Sequence, residues 1–221
     1  MVIKLNTAAG AGMTSARTRA RLLERLKTQG ISHAGVLAAM AEVPRHSFVD
    51  EALAHKAYDD FSLPIGFGQT ISQPYIVARM SELAMGASQH EKVLEIGTGC
   101  GYQTTVLALL FKTVYSIERI AGLHKAARER LSQLGIHNAR LRHGDGSRGM
   151  AEAAPFDVII ITAAAPVLPE DMLPQLKVGG LMIFPVGGAD QELRKIERTS
   201  EGFVETRLEK VNFVPLLPGT I

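Results

Sequence analysis

Residues 93–104 read Val93-Leu94-Glu95-Ile96-Gly97-Thr98-Gly99-Cys100-Gly101-Tyr102-Gln103-Thr104, an apolar stretch followed by three alternating glycines and the start of a helical segment. Glycine has no Cβ, so it adopts positive φ freely and lets a ligand approach the backbone closely. The first turn of the following helix has unpaired N–H groups that attract polar or anionic ligand groups. The stretch therefore predicts a strand, a glycine-rich turn and a helix that together cradle a nucleotide-containing cofactor.

The spacing of the glycines distinguishes between cofactors. A dinucleotide fingerprint, G-x-G-x-x-G, would place its last glycine at position 102, but that residue is Tyr102. The observed pattern is E-x-G-x-G-x-G, which argues against a nicotinamide oxidoreductase. Glu118 lies 21 residues after Gly97, at the end of the next predicted strand, where a carboxylate accepts hydrogen bonds from ribose hydroxyls. A solvated charge at a helix start is the alternative, and the spacing from the glycines favours the ribose.

The length and composition indicate one globular domain. With 221 residues, of which 46% are hydrophobic, the chain is long enough to bury a sizeable core. It carries 24 basic and 22 acidic residues, so its net charge of +2 gives no general attraction to nucleic acid or to an anionic membrane. No apolar run approaches the roughly 18 residues that span a bilayer. We therefore expect a cytoplasmic protein without a nucleic-acid or membrane partner. We also expect a monomer, an expectation that does not follow from the composition.

The histidines and the single cysteine predict no metal site. Seven histidines are present, but they show no ligand spacing with one another or with Cys100. One cysteine excludes an internal disulfide, which fits a reducing compartment. Because Cys100 stands between two glycines and no base lies nearby in the sequence, we expect it to fill space rather than to act as a nucleophile.

The N-terminal part of the chain predicts a helical layer. Residues 1–13 are rich in Ala and Gly without periodicity and are expected to form a disordered extension. Residues 14–221 then form a single domain, with the helical layer at about 14–91 and the cofactor-binding core at about 92–221. Thr14 and Ser32 are candidate N-caps of the first two helices. Residues 62–74 predict an irregular loop that leads into a helix over residues 74–85, because glycine and proline are crowded there.

After the glycine turn, strands and helices alternate. Apolar periodicity predicts helices over residues 102–111 and 120–134, strands over 113–117, 139–142, 156–161 and 181–186, and a final hairpin over 192–198 and 203–211. This order predicts an α/β fold with a doubly wound, mostly parallel, seven-stranded Rossmann-like sheet and an N-terminal helical layer. The apolar tail at residues 212–217 is expected to pack against the domain.

Three further positions have both a structural and a functional interpretation. Asp145, beside Gly146 in a turn that follows a strand, is suited to accept a hydrogen bond from an adenine amino group or to form an ordinary Asx turn. Thr162 follows a buried strand, where small residues leave room for a ligand or allow a tight turn. Ser72 precedes Pro74 at a helix start, where capping is the common role of serine.

Several stretches in chain order resemble the protein-L-isoaspartate O-methyltransferases, a family within the class I methyltransferases that use S-adenosylmethionine. The resemblance is carried by Val43-Pro44-Arg45-His46-Ser47-Phe48-Val49, Leu63-Pro64-Ile65, Gly68-Gln69-Thr70-Ile71-Ser72-Gln73-Pro74, the glycine turn, His143-Gly144-Asp145-Gly146 and Phe213-Val214-Pro215-Leu216. It extends from about residue 16 to the end. Ser147 departs from the pattern, because many bacterial members carry an aromatic residue there, and the tail stops soon after Gly219.

The resemblance implies transfer of a methyl group from S-adenosylmethionine to the free α-carboxylate of L-isoaspartyl residues in damaged proteins and peptides, whose ester then closes to a succinimide. Ser72 matches the serine with the active-site role, and we assign it orientation of the carboxylate. The implied acceptor pocket comprises Thr70, Ile71, Gln73 and Val214. The implied cofactor-binding residues are Glu95, Gly97, Gly99, Gly101, Glu118, Asp145, Gly146 and Thr162. Glu95 is expected either to support the loop or to hold the cofactor's amino group.

Two other classes of function remain open from the sequence. Another class I methyltransferase, acting on RNA or a small molecule, would keep the glycine turn but has no reason to keep Thr70-Ile71-Ser72. The Asn/Asp-Pro-Pro-aromatic motif typical of amino-group methylation on bases does not occur in the sequence. A non-catalytic protein that binds the cofactor on the same fold is the second alternative, and it would bind without turnover.

Overall fold

The computed structural model describes Leu5 and residues 16–221. Leu5 is buried in the hydrophobic core. The rest of the predicted disordered extension and the predicted cap at Thr14 lie outside the described residues. The division of the chain at residues 13 and 91 stays a prediction.

Helices cover both faces of a central sheet. The α-helices of the described part are α1 (Ala16–Thr28), α2 (Ala34–Glu42), α3 (Pro74–Ala84), α4 (Tyr102–Leu110) and α5 (Ala121–Gln133). Short 3-10 helices span Arg45–Phe48, Glu51–Lys56, Ala151–Ala153 and Glu170–Gln175. No helix in this part of the chain is both long and apolar enough to cross a bilayer.

The strands form a small hairpin and the central sheet. They are β1 (Leu63–Gly66), β2 (Gln69–Ile71), β3 (Lys92–Ile96), β4 (Thr113–Glu118), β5 (Ala139–His143), β6 (Phe156–Ile161), β7 (Leu176–Gly187), β8 (Gln191–Arg198) and β9 (Phe203–Val211). The central sheet has the order β5-β4-β3-β6-β7-β8-β9. Its first five strands are parallel to one another, and β8 pairs antiparallel with both β7 and β9. The predicted seven-stranded, mostly parallel sheet is confirmed.

The core lies on both faces of the middle strands. Every residue of β6 is buried, which explains its mostly apolar sequence, because a parallel strand covered on two sides has no solvent face. The exception, Asp157, pairs with Lys177 and accepts a hydrogen bond from the Lys92 N–H. One hydrophobic cluster joins the sheet to the N-terminal helices through Leu26, Met40 and Leu107. A second cluster on the other face includes Ile159 and Phe184. The fold thus fixes the carboxyl ends of β3, β4 and β6 side by side.

Two local predictions differ from the structure. The N-cap of α2 is His33, whose Nδ1 accepts a hydrogen bond from the Val36 N–H, whereas the N–H and the hydroxyl of Ser32 donate to Glu82. The segment predicted as an irregular loop contains the β1–β2 hairpin, because Leu63 and Ile71 pair and bury their side chains.

The C-terminal tail packs against the domain, as its apolar sequence predicts, and it crosses the carboxyl edge of the sheet. Val214 and Leu216 exchange backbone hydrogen bonds with Ala164. Farther on, the Ile221 N–H donates to the Arg119 carbonyl, and the Ile221 carbonyl accepts from Ala121. The tail therefore lies beside the glycine turn and forms one wall of the clefts described below.

Candidate active site

Two adjoining clefts open at the carboxyl edge of the sheet. We call the first the glycine cleft; it is lined by Ile65, Gln69, Thr70, Ile96, Gly97, Gly99, Ile117, Glu118, Arg119, Ile120, Leu123, Gly146, Thr162, Ala163, Val214, Pro215, Leu216 and Leu217. We call the second the serine cleft; it is lined by Ser62, Thr70, Ser72, Gln73, Ile76, Thr162, Lys210, Val211, Asn212, Phe213 and Val214. Thr70, Thr162 and Val214 belong to both linings. A small cavity between the clefts touches both Ser72 and Gly99.

The Glu118 carboxylate is held rigidly in the wall of the glycine cleft. It is 5% exposed, its Oε2 accepts from the Gly99 N–H at 2.8 Å, and its Oε1 accepts from the Ile120 N–H at 2.9 Å. A carboxylate has about four lone-pair sites, so these two bonds leave acceptor capacity. Glu118 therefore lies where the spacing from Gly97 predicts, with room for ligand hydroxyls.

The glycines of the turn have different tasks. Gly97 has φ +96°, and Thr162 Oγ1 fills the space where a Cβ at this position would lie. The Thr162 hydroxyl also donates to the carbonyls of Ile96 and Gly97. A Cβ on Gly101, which has φ +88°, would lie 2.6 Å from Leu131 Cδ1. Gly101 thus permits close packing of α5 on the turn and is absent from the cleft lining.

The Glu95 side chain is fully buried and lies outside both cleft linings. Its Oε2 accepts from the hydroxyls of Thr104 and Ser116, each at 2.5 Å, while Oε1 has no hydrogen-bond partner among the described residues. Burial raises the pKa of the Glu95 carboxyl to about 8. These contacts fit the expectation that Glu95 supports the loop.

The two predicted site residues in the turn after β5 lie in different places, because Gly146 lines the glycine cleft and Asp145 does not. Gly146 lines the glycine cleft, and a Cβ there would lie 2.8 Å from Ile96 Cγ2. The Asp145 carboxylate accepts from the N–H groups of Ser147 and Gly219, at 2.8 and 2.7 Å, and these bonds lower its pKa. The Asx turn is therefore present, and Asp145 also anchors the C-terminal tail. Its predicted contact with adenine stays a prediction.

The structure gives Ser72 no capping role. The N-cap residue of α3 is Gln73, and its side chain makes no capping hydrogen bond. Within the described part of the chain, no hydrogen bond to the Ser72 hydroxyl occurs, although the residue is half-buried. A half-buried hydroxyl that lines a cleft and has no protein partner is free to bond to a ligand. Ile71, the next residue back, is buried and lines the cavity between the clefts.

Sequence reasoning missed several residues of the cleft walls. Ile120 and Leu123, three residues apart at the start of α5, give the glycine cleft an apolar side; their helical spacing after Glu118 was the available signal. Phe67, at the tip of the β1–β2 hairpin, occupies the space that a Cβ on Gly122 would need. Lys210 lines the serine cleft, and no local motif points to it.

The residues of the glycine cleft suit an adenosine-containing cofactor. Gly97 and Gly99 bring the backbone into the cleft lining, Glu118 offers oxygens to hydroxyls, and Ile120 with Leu123 offers apolar contact to a flat ring. The serine cleft adjoins the glycine cleft and shares Thr70, Thr162 and Val214 with it. This cradle at the carboxyl edge of a doubly wound sheet defines a class I methyltransferase dependent on S-adenosylmethionine.

The comparisons with known proteins identify the family within this class. The family model for protein-L-isoaspartate(D-aspartate) O-methyltransferase matches residues 17–220. The chain therefore belongs to this family. The predicted activity, that of a protein-L-isoaspartate O-methyltransferase dependent on S-adenosylmethionine, is confirmed by this match.

Curated relatives and solved structures agree with the family assignment. The protein-L-isoaspartate O-methyltransferases of Nitrosomonas eutropha and Nitrosomonas europaea are 58% and 57% identical over 214 residues, and each alignment covers 96% of both chains. A solved protein-L-isoaspartate O-methyltransferase superposes with a TM-score of 0.79 at 28% identity, covering 89% of this chain and 65% of that longer chain. Its counterpart from Plasmodium falciparum, in complex with S-adenosyl-L-homocysteine, gives 0.78 at 27% identity, with 89% and 97% covered.

The remaining prediction about the site is that it holds no metal ion. In the described residues, no group of three or more His, Cys, Asp or Glu side chains is placed to hold a metal ion. Cys100 is buried, and burial raises the pKa of its thiol, which is the opposite of what a nucleophile requires. The expectation of a metal-independent reaction stays a prediction.

Proposed function

We propose that this enzyme transfers a methyl group from S-adenosylmethionine, held in the glycine cleft, to the free α-carboxylate of an L-isoaspartyl residue held in the serine cleft. The observation that carries the proposal is the junction of the two clefts at Thr70, Thr162 and Val214. An acceptor in one cleft and a donor in the other then lie on either side of these shared residues, next to the small cavity that touches both Ser72 and Gly99.

The acceptor needs orientation rather than deprotonation. A carboxylate with a pKa of about 4 is already ionised at neutral pH, so no general base is required. The Ser72 hydroxyl donates a hydrogen bond to one carboxylate oxygen and leaves the other free to attack. When bound, S-adenosylmethionine supplies a methyl group that its sulfonium already activates.

Water exclusion is the second task of the chain. Hydration stabilises a free carboxylate and slows its attack, so a cleft that removes water raises reactivity. Ile76, Phe213 and Val214 provide apolar walls around the polar Ser72 and Thr70. Alignment of the two reactants contributes further, because fixed geometry is equivalent to effective molarities of order 10⁵ M or more. Ile71 and Gln73 complete the acceptor pocket in this proposal.

The cofactor contacts follow from the geometry of the glycine cleft. Glu118 holds the ribose hydroxyls with its remaining acceptor capacity, and Gly99 allows the close approach of the ligand. Gly97 and Gly146 also line the cleft, and their missing side chains make room for Thr162 and Ile96. Thr162 fixes the backbone of the turn. Glu95 and Gly101 act indirectly, because both hold the turn from outside the cleft.

Methyl transfer to two matched peptides tests the proposal. The peptides are identical except for one L-isoaspartyl or L-aspartyl residue, and the readout is base-labile methyl ester from labelled S-adenosylmethionine. We expect transfer to the isoaspartyl peptide alone. Binding of the cofactor without transfer to either peptide would overturn the proposed acceptor.

We also propose that the enzyme acts as a cytoplasmic monomer without a nucleic-acid or membrane partner. The near-balanced charge of 24 basic against 22 acidic residues supports the absence of a nucleic-acid or membrane partner, and the single, buried cysteine fits a reducing compartment. Sedimentation equilibrium at micromolar concentration should give the mass of one chain. A stable dimer under these conditions would contradict the monomer.

A further inference from the structure

The serine cleft contains one charged side chain among the described residues that line it, and this is Lys210. Lys210 is exposed and is the second-to-last residue of β9. It lies four residues before Val214, which forms part of the wall shared with the glycine cleft. A cation therefore stands at the rim of a cleft whose proposed substrate is an anion.

No carboxylate of the described protein forms an ion pair with Lys210. Its cross-strand neighbour is Glu192, but Glu192 Oε2 accepts from Arg194 Nε at 3.2 Å. The preceding residue, Glu209, accepts from Arg79 Nε at 2.9 Å. Both nearby carboxylates pair with arginines in the structure and neither pairs with Lys210, so the Lys210 ammonium is open to a substrate.

The reacting carboxylate is a poor partner for this ammonium. As the methyl group is transferred, the acceptor carboxylate becomes a neutral ester and loses its charge. An ammonium bound to that carboxylate would stabilise the starting state more than the transition state, which slows the reaction. Lys210 is better suited to bind a second anionic group of the substrate, one that keeps its charge during methyl transfer.

The position of Lys210 restricts where that second group lies. Four residues of extended chain span at most about 14 Å, which limits the distance between the Cα atoms of Lys210 and Val214. A bound peptide covers the same distance in about four residues. We propose that Lys210 is a specificity-determining residue that favours isoaspartyl substrates with an acidic side chain within about four residues of the damaged position. This inference rests on the proposed function.

Isoaspartyl peptides that differ only in one flanking residue test the inference. Glu, Gln or Lys is placed in turn at each of the four positions on either side of the isoaspartyl residue, and kcat/KM is measured for each peptide. The enzymes are the wild type, Lys210→Met, Lys210→Glu and the control Lys195→Glu. Lys195 lies on β8 of the same hairpin but does not line either cleft.

We expect the wild type to prefer Glu over Lys by about two- to fivefold at one or more positions, the range of an exposed ion pair. The preference should lie in KM, decrease with added salt, vanish in Lys210→Met and reverse in Lys210→Glu. Lys195→Glu should keep the wild-type ratio. An unchanged ratio in Lys210→Glu, or an equal shift in both charge-reversal variants, would overturn the inference. If the wild type methylates none of the Gln peptides, the proposed function itself fails, and this inference fails with it.

Discussion

At the scale of single residues, Ser72 separates the acceptor side of the site from the cofactor side. Its hydroxyl lines the serine cleft and the connecting cavity but not the glycine cleft. Its position in the loop before α3 alone favoured a capping role, and only the resemblance of Thr70-Ile71-Ser72 to a family motif indicated function. The structure adds the absence of a capping bond at this helix start.

We predict that Ser72→Ala lowers kcat roughly 10- to 100-fold and leaves the affinity for S-adenosylhomocysteine unchanged. A hydrogen bond to a charged group contributes about 1.5–3 kcal/mol, and each 1.4 kcal/mol is a tenfold change in rate. Steady-state kinetics and calorimetric titration measure the two effects separately. Ser132→Ala, an exposed serine on α5, serves as the control. A loss of cofactor affinity equal to the loss of rate would contradict the assignment.

Glu95 makes the stability of the protein depend on pH. Its pKa is raised to about 8 by burial, from an ordinary value of 4.5. Between these two values, the folded state holds a proton that the unfolded state has released. The free energy of unfolding therefore falls as pH rises through this window, by up to about 1.4 kcal/mol per pH unit.

We predict that Glu95→Gln flattens this decrease between pH 5 and 8, because glutamine has no proton to lose. Urea denaturation at several pH values measures the slope for the wild type and the variant. Glu201→Gln, an exposed position, should reproduce the wild-type slope. Equal slopes for the wild type and Glu95→Gln would show that Glu95 is ionised in the fold.

At the scale of elements, the glycine turn holds α4 and α5 against the sheet. Gly101 is the residue before α4, and its missing Cβ makes room for Leu131 of α5. We predict that Gly101→Ala destabilises the protein by about 2–4 kcal/mol, the sum of the strain at positive φ and the displacement of Leu131. Urea denaturation measures the loss.

Gly30→Ala is the matched control for this prediction. Gly30 also has positive φ, +97°, but a Cβ there meets no atom within 4 Å. Its substitution should cost only the backbone strain, about 1–2 kcal/mol. Similar losses for the two variants would mean that Leu131 moves away without cost.

The order and type of the main elements could be predicted because each depends on a local pattern. The apolar run of β6 and the glycine spacing after β3 are examples. Contacts between distant segments could not be predicted in this way. The bond from Gly219 to Asp145 joins residues 74 positions apart, and no short pattern encodes it. The hairpin β1–β2 was missed because its glycines and prolines also suit an irregular loop.

Tyr102 shows how tertiary contacts explain a departure seen in the sequence. This residue occupies the position where a dinucleotide fingerprint has glycine. In the structure Tyr102 is buried, its ring packs edge-on against Phe48, and the Arg45 guanidinium lies 4.9 Å from the ring centre. The sequence alone excludes the dinucleotide fingerprint. The packing of Tyr102 against the N-terminal helical layer is shown only by the structure.

At the scale of the whole molecule, the two clefts share walls, so their ligands should influence each other. A bound cofactor completes the surface that a peptide meets at Thr70, Thr162 and Val214. We predict that S-adenosylhomocysteine tightens the binding of an isoaspartyl peptide by about tenfold, within the usual range of coupling between sites. Calorimetric titration of the peptide with and without S-adenosylhomocysteine measures this. Equal affinities in the two titrations would show that the clefts are independent.

The contact of Phe67 with Gly122 makes the hairpin tip a convenient place for an optical reporter. The chain contains no tryptophan, so it has no intrinsic fluorescence at the wavelengths where indole emits. Phe67 is 62% exposed, and its neighbour Gly122 lies between Ile120 and Leu123 of the glycine cleft. In Phe67→Trp, a single indole would report from the mouth of this cleft, and its emission would follow the arrival and departure of the cofactor in real time.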